Sequence, residues 1–279
     1  MKLTVVIPTR GRLDRQNAMK FFRLEKMHDR KTLTVRFAVP DCELEQFTDL
    51  YGWAEVVNVP DSFRYGDIIQ YLVLETPGRY KVLMDDDLHL IRRRNPNSIS
   101  QKGGVATNQD VVDLFDRIRE WLGEYEHGGI SYRQTNHFCH EPFANNTRAN
   151  GMMFFDTKVL EVEGVRLDAV QERSDFHVTL SMLELGYPNV VDYEFAIGQY
   201  LTGTNADGGC SRYRSPKFLL EQAQLLADLH PGVVKMVYKK RKAGDVQAMS
   251  DGDKGIPDVR IQWAKALGLR SNHRKYKGD

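Results

Sequence analysis

The apolar positions of the first ninety residues fall in short continuous runs rather than in alternation. "LTVVIP", "TLTVRFAVP", "AEVVNVP" and "YKVLM" are each rich in β-branched residues and give way to Pro8-Thr9-Arg10, Pro40-Asp41, Pro60-Asp61 and Asp85 to Asp87. Unbroken apolar runs of this length predict central strands buried on both faces. Between them lie "RLDRQNAMKFFRLEKMH", with Ala18, Phe21, Phe22 and Met27 near helical spacing, and the helical stretch "YGDIIQYLVLET". The alternation predicts an α/β fold with an open, mainly parallel twisted sheet flanked by helices. Ligands then sit beyond the carboxyl ends of the strands, where these Pro, Thr, Arg and Asp residues fall.

Past Leu90 the pattern changes. "IRRRNPNSISQKGGVATNQ" reads as a surface loop. A helix is expected from about Asp110 to Glu126, with Val111, Leu114, Phe115, Ile118, Trp121 and Leu122 on one stripe and Gly128 at its end. "NGMMFFD" predicts a strand. "SDFHVTLSMLELGYP" predicts a helix with Phe176, Leu180 and Leu183 inward and Gly186 as its stop. Ser215 and Pro216 supply an N-cap and an N1 proline for a helix reaching about Leu229. A last helix is expected over Asp258 to Leu267. The domain reading is a core over 1–200, a lid loop and packing helix over 201–232, and a basic, mostly helical extension over 233–279.

Composition narrows the classes. The 279 residues, 41% of them hydrophobic, suffice for a full core. No run of eighteen apolar residues and no signal-peptide pattern appears, so the expectation is a soluble, cytoplasmic protein without a membrane partner. Cys42, Cys139 and Cys210 are odd in number and widely spaced, which fits a reducing compartment. The formal charge of +1 hides an asymmetry. From Val233 onward twelve Lys or Arg face five Asp, giving +7 and leaving −6 for the rest of the chain. Such a split suits a polyanion partner; the plain alternative is a solubilising tail.

Asp85, Asp86 and Asp87 follow a buried strand directly. Three consecutive carboxylates repel and cannot enter a core, so the chain must surface there and meet positive charge. In an extended chain Asp85 and Asp87 share one side and Asp86 takes the other. Mg²⁺ or Mn²⁺, which favours one or two carboxylates plus diphosphate oxygens, is the economical partner. A solvated carboxylate cluster is the alternative. His137, Cys139 and His140 in "HFCHE" lack a second ligand pair at zinc spacing.

"VVIPTRGR", the "DDD" and "SDFHVTLSMLELGY" in that order resemble a GT-A glycosyltransferase of the inverting group related to cellulose and chitin synthases, with Ser174 where that group carries Glu. "PTRGR", "FRYGDIIQ", "MDDDLHL", "ANGMMFFD", "QERSDF" and "GGCSRYRS" together are similar to phage enzymes and kinetoplastid relatives that attach a sugar to hydroxymethylpyrimidines in DNA. The narrower resemblance implies a hexosyl- or pentosyltransferase of phage-type DNA hypermodification, acting in the host cytoplasm on double-stranded DNA.

The resemblance implies a nucleotide-sugar donor, a UDP-sugar foremost, with Mn²⁺ or Mg²⁺ held by Asp85 and Asp87 and with His230 as a third ligand. The donor set it implies is Pro8, Thr9, Arg10, Arg12, Asp41, Arg64, Asp85, Asp86, Arg212 and Arg214. Inverting transfer needs a base opposite the leaving group, and Asp175 is the candidate, with Glu172 taking part of the role of the missing Glu; Asp175 as a simple N-cap stays open. "TGTNADGGCSRYRS" reads equally as a lid over the diphosphate or as a surface loop. Arg92, Arg93 and Arg94 with "YKKRK" and "NHRKYK" are candidate phosphate contacts. The alternatives are a GT-A enzyme acting on glycan, lipid or protein, and a non-catalytic nucleotide or nucleic-acid binding module. A nucleotidyltransferase would bring a Gly-rich phosphate loop, whereas "PTRGRLDR" has one Gly. Sugar, acceptor base, stereochemistry and oligomeric state are not set by the sequence.

Overall fold

The computed structural model describes residues 1–29, 33–93, 106–132, 141–199, 209, 213–240 and 255–269. The strands are β1 (Leu3–Pro8), β2 (Leu33–Pro40), β3 (Glu55–Val59), β4 (Tyr80–Met84), β5 (Leu88–Arg92), β6 (His127–Tyr132), β7 (Phe143–Asn145), β8 (Met152–Asp156), β9 (Val190–Gln199), β10 (Val234–Lys239) and β11 (Ile256–Ile261). The helices are α1 (Asn17–Phe22), α2 (Leu24–Asp29), α3 (Leu44–Tyr51), α4 (Tyr65–Gln70), α5 (Asn108–Trp121), α6 (Thr157–Glu163), α7 (Ser174–Glu184), α8 (Pro216–Leu229) and α9 (Trp263–Ala266).

A nine-stranded sheet has the order β3-β2-β1-β4-β8-β6-β9-β5, with β7 also paired to β9. β1, β2, β3, β4, β6 and β9 run the same way, and β5, β7 and β8 run against them. The expected mainly parallel α/β sheet is therefore present. Alternation explains the continuous apolar runs. Leu3, Val5, Ile7, Val82 and Met84 face a core closed by Phe22, Phe47 and the α5 stripe Val111, Leu114, Phe115 and Ile118. Val6 and Leu83 face a second core with Ile68, Ile69, Leu160, Val178 and Met182. With helices on both faces, every residue of β1, β2 and β8 is buried, and burial stabilises the sheet by about 25 cal/mol per Å² of apolar area.

α7 lies between two layers. Val178 and Met182 turn to the sheet, while Leu180 and Leu183 pack with Leu226, Val233, Val234 and Ala266 of the C-terminal segment.

Four expectations are corrected. The first helical stretch is divided into α1 and α2 by Arg23 in the left-handed region at φ 49°. Gly128 does not stop α5 but lies inside β6, where a Cβ would meet Phe154 at 2.4 Å. Ile91 and Arg92, read as the start of a surface loop, belong to β5 because β9 offers that segment an antiparallel edge. Asp258 begins no helix: Ile256–Ile261 pairs with β10 in a separate two-stranded sheet, and only Trp263–Ala266 is helical. The described part of the C-terminal extension is thus a hairpin with one helical turn, because β-branched Ile256, Val259 and Ile261 favour the extended ladder.

Candidate active site

The acidic triplet emerges from β4 as a turn, and its three side chains part company. Asp86 is buried at 3% exposure, accepting from Thr9 Oγ1 at 2.7 Å and from Arg12 Nη1 at 2.5 Å. Thr9 is fixed in turn by Gln16 Nε2 at 2.7 Å. Asp86 is therefore the pin that ties the turn to the end of β1. Asp85 and Asp87 take the other side, bridged by Gln199 Nε2 at 3.4 and 3.0 Å, as extended-chain alternation expects. Tyr65 at the start of α4 donates to Asp85 Oδ1 at 2.9 Å, and Arg12 also reaches Asp87 Oδ2 at 3.1 Å.

Among the described residues, Arg12 is the one cation ion-paired with this turn, to Asp86 and Asp87, and Asp85 has no ion pair. Burial, then the neighbouring Asp87, pushes the Asp85 carboxyl up to about 8. Burial pushes Asp86 up to about 6 against the opposing pull of Arg12 and Thr9. This under-compensated negative charge is the observation that suits a divalent cation. Among the described residues, no group of three or more His, Cys, Asp or Glu is arranged to hold a metal alone. A Mg²⁺ or Mn²⁺ completed by donor phosphates makes no such demand.

The donor side lies at the carboxyl ends of β1 to β4. Pro8 closes β1 and Gly11 takes φ 67°, its N–H bound by both Glu43 carboxylate oxygens at 2.9 and 2.8 Å. That turn aims Arg10 inward: its Nη1 donates to the Phe63 carbonyl at 3.2 Å, whereas Nη2 is buried without a hydrogen-bond partner among the described residues. An orphaned guanidinium nitrogen here fits an anionic ligand. Gly209 N–H donates to the Arg10 carbonyl at 2.9 Å. Asp41 is exposed and held by Asn58 Nδ2. Arg64 is exposed and lies over the rings of Tyr213 and Phe218 at 5.7 and 5.4 Å, while Tyr65 N–H donates to Tyr213 Oη.

A further carboxylate stands at the start of α7. Arg173 caps this helix in the left-handed region at φ 65°, a backbone costing about 1–3 kcal/mol that surrounding contacts must hold. Its guanidinium is anchored to the Pro257 carbonyl at 3.2 Å and to Asp258 at 3.0 Å. Asp175 follows in the first turn, its Oδ1 accepting from the Phe176 N–H at 3.0 Å. Burial raises its carboxyl to about 6, opposed by Arg148. The Asp85 and Asp175 carboxyls lie within electrostatic reach of each other, and Tyr132 at the end of β6 feels both.

Several expected site residues lie elsewhere or are already engaged. His230 is fully buried, its Nε2 2.8 Å from His177 Nδ1 and its Nδ1 2.9 Å from Glu184 Oε1. Both ring nitrogens thus have partners, and neither Asp85 nor Asp87 is among them. Glu172 and Arg214 form a two-pronged ion pair at 2.9 and 3.0 Å, so each occupies the other. Arg92 is taken up by Asp113 and Asp110, and Arg93 is buried, with Ser131 3.2 Å away and Tyr193 beside it. Neither presents the phosphate contact expected of it. Arg212, Arg94, His137, Cys139 and His140 lie outside the described residues.

Tyr65, Gln199, Glu43, Tyr132 and Arg148 join the site without a local sequence signal, although Tyr65 stands within "FRYGDIIQ". Gln171 explains why that motif and "QERSDF" belong together. It accepts from Gly66 N–H at 2.9 Å and donates to Asp67 at 2.7 Å, and a Cβ on Gly66 would meet it at 2.8 Å. Gly151 in "ANGMMFFD" has φ 71°, and a Cβ there would strike Tyr132 Oη at 2.3 Å.

Comparison with known proteins agrees with this layout. No curated protein matches the sequence. Among solved structures, TarS residues 1–349 of S. aureus in complex with UDP shares 11% identity at a TM-score of 0.52 over 82% of this chain. The mannosyltransferase PcManGT from Pyrobaculum calidifontis, in complex with GDP-Man and Mn²⁺, shares 13% identity at 0.54 over 81%. The aligned part spans 65% and 62% of those chains, and at such identities the likeness is one of fold, the GT-A arrangement. Residues 3–209 match the family described as TET-Associated Glycosyltransferase. With that match covering most of the chain, from the first strand through the acidic turn and Asp175 to Gly209, the protein belongs to the TET-associated glycosyltransferase family.

Proposed function

We propose that the protein transfers a sugar from a nucleoside-diphosphate donor, a UDP-sugar foremost, to the hydroxyl of a hydroxymethylated pyrimidine in DNA. The observation that carries the transfer reading is a pair of carboxylate centres, the under-compensated Asp85–Asp87 turn and Asp175, close enough to influence each other electrostatically.

As the glycosidic bond breaks, negative charge grows on the departing diphosphate. A bound Mn²⁺ or Mg²⁺ supplies counter-charge to it. Asp85 and Asp87 hold that ion, with Gln199 keeping them side by side. Arg10 offers its unpartnered Nη2 to the donor, and Asp41 and Arg64 offer exposed polar groups at the strand ends. Asp86 acts indirectly, fixing the turn through Thr9 and Arg12. Asp175 takes the proton of the acceptor hydroxyl; the Phe176 N–H orients one oxygen and leaves the other to receive it. With a carboxyl near 6, Asp175 is ionised at neutral pH yet a better base than a solvated aspartate. Tyr132 lies within electrostatic reach of both centres. The Glu172–Arg214 pair ties the segment before α7 to the segment entering α8.

The DNA acceptor is supported by the motif resemblance and by the +7 charge from Val233 onward. Incubating the protein with UDP-sugars, Mn²⁺ and duplexes containing 5-hydroxymethylcytosine or 5-hydroxymethyluracil, followed by mass analysis of digested nucleosides, tests it. A sugar mass on the base is expected. Hydrolysis of the donor without DNA transfer would keep the enzyme and reject the acceptor, and neither reaction with any donor would favour a binding module.

A further inference from the structure

Arg148 stands on the loop before β8, exposed to solvent. Its guanidinium carbon lies 4.6 Å from the ring centre of Phe176, the residue after Asp175. Phe176 is braced from behind by Trp263, edge to face at 5.5 Å. Stacking fixes where the guanidinium sits, and among the described residues no ion pair consumes it. An exposed cation held by stacking beside the base is preorganised for an anion on the acceptor.

A second observation extends this surface. In the C-terminal hairpin Lys235 lies directly opposite Arg260, both exposed. Like charges facing each other across a ladder destabilise it unless an anion lies between them. The carboxylate of this hairpin, Asp258, is already taken by Arg173 at 3.0 Å and by Lys239. Among the described residues, Lys235 and Arg260 have no carboxylate partner. Two-residue alternation puts Lys235, Lys239, Asp258 and Arg260 on one face. Because Asp258 reaches the residue that caps α7, that face begins at the root of Asp175.

We propose that Arg148, braced on Phe176, binds the phosphate flanking the acceptor hydroxyl, and that the Lys235–Arg260 pair binds the same nucleic-acid backbone further along. The inference rests on the DNA-acceptor reading and adds where the backbone runs. Arg148 does not take part in bond making; it positions the strand so that the hydroxyl meets Asp175. The contacts are to phosphate and carry no sequence preference.

The test compares the full-length wild type with Arg148→Ala, Arg148→Lys and Lys235→Ala/Arg260→Ala in two measurements. One is the ratio of kcat/KM for a hydroxymethylpyrimidine oligonucleotide to that for the free hydroxymethyl nucleoside, which lacks phosphate. Arg148→Ala is expected to lower the ratio about tenfold through KM, and Arg148→Lys to restore part of it. The other is duplex affinity against salt by fluorescence anisotropy. For each phosphate no longer neutralised, the slope of log K against log[salt] should fall by about 1, so it falls by about 1 in the Arg148 variant and about 2 in the double variant. The thermal shift given by donor and Mn²⁺ checks that each variant folds and binds donor. An unchanged ratio and slope in folded Arg148→Ala overturns the inference while leaving the acceptor reading intact. Reduced slopes without transfer to any pyrimidine uphold the backbone path and overturn the acceptor. A wild type with no affinity for duplex overturns both.

Discussion

Tyr65 Oη lies 2.9 Å from Asp85 Oδ1, so a residue of α4 holds the first carboxylate of the acidic turn. The bond favours the ionised form against the burial that raises this carboxyl to about 8. Hydrogen bonds to charged groups contribute about 1.5–3 kcal/mol. Tyr65→Phe should therefore raise the Asp85 carboxyl further and make a metal compete harder with the proton. Calorimetric titration of Mn²⁺ in the presence of UDP is expected to show about tenfold weaker binding at pH 7, with most of the difference gone at pH 9.

In the proposed mechanism Asp175 is the base, so Asp175→Asn keeps the shape of the site and removes that group. Turnover should fall on the order of 10²–10⁴-fold while donor binding changes little. In the wild type the base works only when ionised. Its carboxyl is raised to about 6, so kcat should climb with pH up to about 6 and level off above it. A rate that is flat from pH 4.5 to 8 would remove Asp175 from the mechanism.

Arg12 pairs with a carboxylate whose side chain is 4% exposed while its own is 22% exposed. Removing one partner of such a pair leaves a buried charge, a loss of about 3 kcal/mol. Asp86 is an acid with a folded-state value, about 6, above its ordinary 3.8. The folded protein thus binds more protons than the unfolded chain between those values, so this group makes stability fall as pH rises from about 4 to 6. Arg12→Ala lifts the upper limit of that window. Urea unfolding should show the variant's deficit largest at pH 8 and smaller at pH 5, where Asp86 holds its proton.

Gly151→Ala meets two obstacles. The left-handed backbone costs a non-glycine residue roughly 1–2 kcal/mol, and the new methyl would lie 2.3 Å from Tyr132 Oη. A loss of at least about 2 kcal/mol is expected, with the Tyr132 ring displaced. Combining it with Tyr132→Ala should recover the part due to the clash, giving a sub-additive double-mutant cycle. Additive losses would show that the two residues do not meet.

Those parts of the fold whose cause is local are legible along the chain. The runs at β1, β2 and β4, the Ser215–Pro216 start of α8 and the Gly186 stop of α7 are written in adjacent residues, and the structure has them. β5 and β11 escape a local reading because each exists by pairing with a segment elsewhere in the chain, and the helical spacing of Asp258 to Leu267 is weaker than that ladder. The site divides in the same way. Asp85 to Asp87 are evident from charge repulsion alone. Gln199, Tyr132 and Arg148 are brought to them only by the sheet order, and nothing in their neighbours along the chain marks them. The ligand role expected of His230 rests on family resemblance, and its burial against Glu184 is a tertiary fact that no local pattern announces.

The central claim is that the acidic turn binds a dication together with a nucleoside-diphosphate sugar. Thermal-shift measurement of the full chain with a panel of nucleotide sugars, each with and without Mn²⁺, tests it most directly, because a ligand bound only by the folded state raises the melting temperature as its concentration exceeds Kd. The account predicts a rise with a UDP-sugar that requires Mn²⁺ and disappears in Asp87→Asn. A panel in which no nucleotide sugar shifts the wild type, or in which the shift survives both metal removal and Asp87→Asn, would contradict it.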